Sequence, residues 1–255
     1  MKVLPIFSIV TACYNAEETI QETIESVLSQ TITCFEFIII DGASTDGTLE
    51  IVKSFEEKFL AKGIPYSYLT EPDKGIYDAW NKGVNLAKGS YISFLGADDT
   101  YLINSLNLYN EILINEKETN YHLLYSNVDV IDSKGEIVKK IKGTWTWSVF
   151  RRYMNIAHVG SFHSRAYFDK YGLFNDQFKI AGDYELLLRA KDELRAYKLE
   201  QVTVKMKDGG VSRSQLKNTL NETFTAKNSS GGVSYVVCLF DHLVAYSKVF
   251  VKRII

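Results

Sequence analysis

Positive charge is not in excess in this 255-residue chain: 29 Lys and Arg stand against 31 Asp and Glu, a net charge of −2. That balance excludes nucleic-acid binding through bulk basic charge. Cysteine is scarce, with Cys13, Cys34 and Cys238 scattered and no CxxC. A disulfide framework and a zinc ribbon are therefore both excluded, and reduced cytosolic thiols are the simplest account. No uninterrupted apolar run reaches the roughly 18 residues that a spanning helix needs. The opening Met1-Lys2-Val3-Leu4-Pro5 meets a proline before any signal-type apolar region develops, so the expected location is cytoplasmic. No GxGxxG follows a predicted strand, and GxxxxGK[ST] and HExxH are absent. Ser161 lies between Gly160 and Phe162 rather than in a GxSxG elbow. Dinucleotide binding, P-loop chemistry, zinc proteolysis and serine hydrolysis all lose their usual signatures.

What the chain does have is a globular share of hydrophobic residues, 46%. Its first hundred residues alternate strand and helix patterns. Apolar runs at 7–11, 35–40, 66–69 and 91–95 read as strands. Ile20, Ile24, Val27 and Leu28 mark one helix face, Leu49, Val52, Phe55 and Phe59 a second, and Ile76, Trp80, Val84 and Ala87 a third that Gly89 would close. Buried strands alternating with helices predict an α/β fold around a mostly parallel sheet. Beyond Leu124 the pattern changes. A hairpin is expected around Asp132-Ser133-Lys134-Gly135, then a helix after Asp183, a strand over 197–206 and a helical tail over 233–255.

Ligands of open parallel sheets collect at the carboxyl ends of the strands. Here those ends carry Asp41, Glu71, Asp73, Asp78, Asp98 and Asp99. An acidic rim repels bare phosphate, so a phosphorylated ligand is expected to arrive with a divalent cation, Mg²⁺ or Mn²⁺. Asp98-Asp99 supplies adjacent hard oxygen ligands, or else a helix cap. Asp41 is either an acceptor for the N–H edge of a nucleobase or the pivot of an Asx-turn. Asp183 is either a helix N-cap or a general base, with Glu185 as its rival. His158 and His163 suit a phosphate or acceptor contact, or a structural role.

Taken in order, these segments resemble family 2 glycosyltransferases of the GT-A (Rossmann-like) fold. Ile9-Val10-Thr11-Ala12-Cys13-Tyr14-Asn15 is similar to the family's opening strand and loop, and Asp41 to Thr48 to its second-strand motif. Glu71 to Gly83 resembles the bacterial branch that builds capsule, O-antigen and colanic-acid-type polysaccharides. Phe94-Leu95-Gly96-Ala97-Asp98-Asp99 stands where the family carries its metal-binding Asp-x-Asp variant. The resemblance implies a role for each position. Asp41 pairs with the base, and Thr11, Tyr14 and Asn15 line the base and ribose pocket. Asp98 faces the sugar and ribose, Asp99 holds the cation, and Lys74, Gly75 and Asp78 lie beside the donor. Asp183 is the implied catalytic base, although relatives often have Glu-Asp where this chain has Gly182-Asp183. His158, Glu185 and Arg189 fall on the acceptor side, and Gly209-Gly210-Val211-Ser212 resembles a late loop that closes over the donor.

The resulting expectation is an inverting, metal-dependent glycosyltransferase. It would move a sugar from a nucleotide-diphosphate donor to a hydroxyl of a glycan or lipid-linked glycan in bacterial surface polysaccharide synthesis. Residues 1–215 form the transferase domain, with 1–100 on the donor side and 101–215 on the acceptor side as an extension. Residues 216–255 form a helical tail, apolar on one side and carrying Lys248, Lys252 and Arg253. That tail suits peripheral contact with the inner face of the cytoplasmic membrane or packing against the domain. A sugar-nucleotide nucleotidyltransferase and a non-catalytic nucleotide-sugar-binding module remain as alternatives. The first would want a glycine-rich basic loop, which Thr11 to Glu18 does not provide.

Overall fold

The computed structural model describes residues 4–115, 120–210 and 214–254, with side chains as far as Ser247. Val211 and Ser212 of the expected late loop lie outside the described residues. The strands over the first hundred residues are β1 (Phe7–Cys13), β2 (Phe35–Asp41), β3 (Tyr66–Thr70), β4 (Tyr91–Phe94) and β5 (Thr100–Tyr101). They are followed by β6 (Leu123–Ile131), β7 (Ile137–Ile141), β8 (Phe162–Ser164) and β9 (Ala196–Lys207). All join one sheet in the order β3-β2-β1-β4-β8-β6-β9-β5, with β7 paired to β6 as the expected hairpin. Pairs among β1 to β4 are parallel, as is β6 with β9, while β8 runs antiparallel to both β4 and β6. A single sheet therefore runs through the 1–100 and 101–215 parts.

The period-2 alternation of strand side chains builds two apolar layers. From β2, Ile38 and Ile40 enter one layer beside Trp80 and Val84 of α4 (Ile76–Leu86). Phe35, Phe37 and Ile39 enter the other beside Val52 and Phe59. Burial on both faces explains why β2 reads as a continuous apolar run rather than an alternating one. Helix α1 (Ile20–Leu28) buries Ile20, Ile24 and Val27, the predicted stripe. Gly83 brings α4 against β1: a Cβ there would sit 2.3 Å from Val10 Cγ1.

Two local readings are corrected. The helix expected over Leu49 to Phe59 is two, α2 (Thr48–Ser54) and α3 (Glu56–Ala61), because Phe55 N donates to Val52 O in a tighter turn. Gly89 does not cap α4, whose chain turns extended at Ala87. The glycine instead permits close approach to β1, since a Cβ would lie 2.6 Å from Ser8 N. Helices α5 (Ser105–Asn115), α6 (Trp147–Phe150), α7 (Arg165–Tyr171) and α8 (Gly182–Leu188) complete the layers. The tail forms α9 (Leu216–Ser229) and α10 (Tyr235–Ile254).

Candidate functional site

The carboxyl edge of β4 and the start of α8 meet around one cavity of about 870 Å³, lined by Asp98, Asp99, His158 and Asp183 together. Asp98 and Asp183 are far apart in the chain, so the expected convergence of strand-end acids and the α8 carboxylate is present in space.

Asp99 is 7% exposed, and Lys207 N donates to its Oδ1 at 3.0 Å. Burial and the neighbouring Asp98 charge push its carboxyl up to about 7. Asp98 is exposed to the cavity. A Cβ built on Gly96 would stand 2.5 Å from Asp99 Oδ2 and 3.0 Å from Asp98 Oδ1, so both carboxylates flank the same small space. Two hard oxygens crowded together, one of them desolvated, fit a divalent cation. Among the described residues no group of three His, Cys, Asp or Glu side chains forms a complete protein cage. Further ligands would have to come from a bound anion and water, the usual arrangement for Mg²⁺.

Asp183 opens α8. Its Oδ1 accepts from Tyr184 N at 2.8 Å and from the Tyr77 hydroxyl at 3.3 Å, while that hydroxyl also donates to Ile180 O at 2.7 Å. The preceding glycine has a steric reason: a Cβ on Gly182 would lie 2.7 Å from the Tyr77 ring. The loop before Asp183 is held from α9, where the Glu222 carboxylate accepts from the backbone N–H groups of Lys179, Ile180 and Ala181. Three amide donors on one carboxylate fix the path of the chain into α8. The His158 ring stacks against Trp80 and Phe94, at centroid distances of 5.3 and 5.6 Å, and those two rings also touch each other at 4.8 Å. Burial lowers its pKa, against the pull of the Asp183 charge.

The remaining sequence-predicted residues are placed differently. Asp41 is fully buried and pivots a turn, accepting from Ser44 N at 3.3 Å and from Ser44 Oγ. Asn15, at φ 49°, donates its N–H to Ser44 Oγ and accepts from Thr45 N, both at 2.9 Å. Thr11 is sealed, with its hydroxyl unpaired. Tyr14 is 63% exposed, and a Cβ on Gly42 would touch both its ring and the Asp73 carboxylate. Thr11, Tyr14, Asn15 and Asp41 do not line the cavity; they lie at the ends of β1 and β2, where Asn15 and Asp41 both hold Ser44. The turn Asp73-Lys74-Gly75 connects the two places. Gly75 N donates to Asp73 Oδ1 at 2.8 Å, and Gly75 lines the cavity. Asp78 accepts from Lys74 N at 3.0 Å and pairs with Lys82, so it braces the start of α4. Glu185 and Arg189 also lie off the cavity wall, in a two-point ion pair that ties α8 to the Tyr171 and Leu173 carbonyls.

Cations in the cavity wall escaped the sequence reading. Lys179 reaches the Lys74 carbonyl at 2.6 Å. Arg152 and Lys227 both grip Asp241 of α10, and all four line the cavity. None of them stands at a strand end, so strand-end reasoning had no means of finding them.

Residues 8–171 match the family described as Glycosyl transferase family 2. Over 191 residues the chain is 30% identical to a "PGL/p-HBAD biosynthesis glycosyltransferase" of Mycobacterium bovis, covering 72% of this chain and 69% of that protein. It is 30% identical over 199 residues to the chondroitin synthase of Escherichia coli, covering 75% of this chain but only 27% of that longer protein. Among solved structures, S. aureus TarS 1-349 in complex with UDP-GlcNAc superposes with a TM-score of 0.68 at 17% identity, covering 91% of this chain and 69% of that one. The mannosyltransferase PcManGT of Pyrobaculum calidifontis, in complex with GDP-Man and Mn²⁺, gives 0.65 at 15% identity, covering 97% and 75%. The chain belongs to glycosyl transferase family 2 and has the GT-A fold.

Proposed function

We propose that the protein transfers a sugar, with inversion, from a nucleoside-diphosphate sugar to a hydroxyl of a glycan acceptor in bacterial surface polysaccharide synthesis. The observation that carries this reading is the single cavity shared by Asp98, Asp99 and Asp183. The sugar and diphosphate lie in that cavity. The base reaches past the Asp73–Gly75 turn towards Tyr14, Asp41 and the Thr11–Asn15 loop. Asp98 and Asp99 would hold Mg²⁺ or Mn²⁺, whose positive charge would offset the charge growing on the departing diphosphate. Complexes of solved relatives with UDP-GlcNAc and with GDP-Man and Mn²⁺ support the ligand class. Asp183 accepts the proton of the attacking hydroxyl, and Tyr77 and the Glu222-held loop keep that carboxylate in place. Attack opposite the leaving group inverts the anomeric carbon through an oxocarbenium-like transition state. Lipid-linked acceptors suit the tail. Its helix α10 lines the cavity with one face and leaves Val236, Phe240 and Leu243 exposed on another.

A thermal-shift panel of UDP-, GDP- and dTDP-sugars with Mn²⁺ identifies the donor. With that donor, Asp183→Asn lowers transfer by about 10²–10⁴, the usual worth of a general base. Calorimetric donor affinity stays as in wild type. Equal single-turnover rates for the two proteins would remove Asp183 from the base role.

A further inference from the structure

The cavity-lining His158 has a buried partner that the reaction does not touch. His158 Nε2 and His163 Nε2 are 3.0 Å apart, so one ring donates to the other, and burial, which lowers the pKa of both rings, keeps them neutral. His163, in β8, is 0% exposed, and its Nδ1 is sealed with no partner. Two proton arrangements satisfy the short contact. If His158 donates, His163 must carry its proton on Nδ1, an orphaned N–H inside the core. If His163 donates, its Nδ1 is a bare lone pair. Buried unpaired N–H groups are the rarer and costlier defect. His163 therefore donates from Nε2, and His158 carries its proton on Nδ1. That nitrogen has no protein partner among the described residues and does not belong to the sealed, unpaired atoms. Contacts with Trp80 and Phe94, together with the Nε2 contact to His163, restrict rotation of the ring.

We propose that His163 is a positioning residue that locks His158 in the Nδ1–H tautomer, making the cavity edge of His158 a fixed hydrogen-bond donor to a sugar hydroxyl oxygen of bound substrate. The tautomer lock stands on geometry alone; the sugar contact rests on the transferase reading above. With Nδ1 protonated and Nε2 engaged by His163, the ring has no free lone pair to accept a proton, so its part is to orient substrate.

Long-range ¹⁵N–¹H NMR of the full chain labelled in histidine reads the tautomers directly, with His158→Gln and His163→Gln assigning the signals. The expected result is a protonated Nδ1 on His158 and a protonated Nε2 on His163. In His163→Leu the His158 signals average between tautomers, whereas His163→Gln keeps an amide donor and restores the lock. In transfer assays His163→Leu raises KM about 2- to 10-fold with kcat unchanged, the effect of one hydrogen bond made equally in ground and transition states. His163→Gln recovers the wild-type KM. Whether the donor or the acceptor KM moves says which sugar His158 touches. A wild-type His158 protonated on Nε2 overturns the lock, whether or not any sugar is transferred. A lock observed as expected, with both KM values unmoved in His163→Leu, overturns the substrate contact.

Discussion

The paired imidazoles set an acid limit on the fold as well as a donor in the cavity. Burial holds His163 well below the ordinary imidazole value and lowers His158 too. Below about pH 6.5 the unfolded chain takes up a proton on each ring, whereas the folded chain does not. Unfolding is then coupled to proton uptake, so this contribution to stability is complete above that pH and is lost as the pH falls. The slope reaches at most about 1.4 kcal/mol per pH unit for each ring. Asp99, raised in the same cavity wall, titrates in the opposite sense, so the comparison must be between variants. Urea unfolding of wild type and His163→Leu at about pH 7.5 and about pH 5.5 isolates the ring. The variant should lose less stability on acidification, by up to one proton's worth of slope; equal losses would show that His163 titrates normally. The acidic residues that line the cavity were readable as types but not always in their surroundings. Asp98, Asp99 and Asp183 announced themselves by strand-end position and by resemblance. Gly182 was visible only as a departure, because the Tyr77 ring that excludes a side chain there lies more than a hundred residues earlier.

At the scale of elements, the strands β1, β2 and β4 were legible because burial on both faces leaves nearly continuous apolar runs, β3 because its half-buried Tyr66, Tyr68 and Leu69 are aromatic or apolar, and α1 because one buried stripe leaves a 3.6-residue period. Strand β5 was not, since Thr100–Tyr101 is a strand only by pairing with Val204 and Lys205 of β9. Helix α9 was folded into an undivided tail, and its part in the site was hidden for the same reason: Glu222 acts on a loop 41 to 43 positions away. That contact makes a testable link between the tail and the chemistry. Glu222→Ala strips the acceptor from three amides and should cost about 1–3 kcal/mol of stability. The loop it frees carries Asp183, so kcat should fall as well, by as much as ~10² if the carboxylate drifts by an ångström. Glu222→Gln keeps one acceptor oxygen and should fall between the two. Urea unfolding alongside steady-state transfer measures both, and an Ala variant with wild-type kcat would detach α9 from catalysis.

For the whole molecule, the question is which way the cavity faces. Helix α10 carries two stripes. Cys238, Asp241, His242 and Ala245 line the cavity, and Val236, Leu239, Phe240 and Leu243 are exposed. Each stripe follows i, i+3, i+4, i+7, and the two are offset by two residues, which places them on opposite sides of the helix. The inner stripe is fastened by Asp241 between Arg152 and Lys227, the last only 2% exposed. The outer stripe has Val236 at 75%, Phe240 at 60% and Leu243 at 59% exposure, an apolar row bordering the cavity wall. No described helix is long and apolar enough to cross a membrane, so contact would be interfacial. With Lys248, Lys252 and Arg253 following in the sequence, an anionic bilayer is the matching surface. The full chain should float with vesicles containing anionic lipid and less with neutral ones. Phe240→Glu combined with Leu243→Glu should abolish flotation while leaving thermal unfolding and transfer to a soluble acceptor unchanged, because neither side chain belongs to the core or the cavity. A full chain that stays with the soluble fraction in both vesicle types would leave α10 as a wall of the cavity alone.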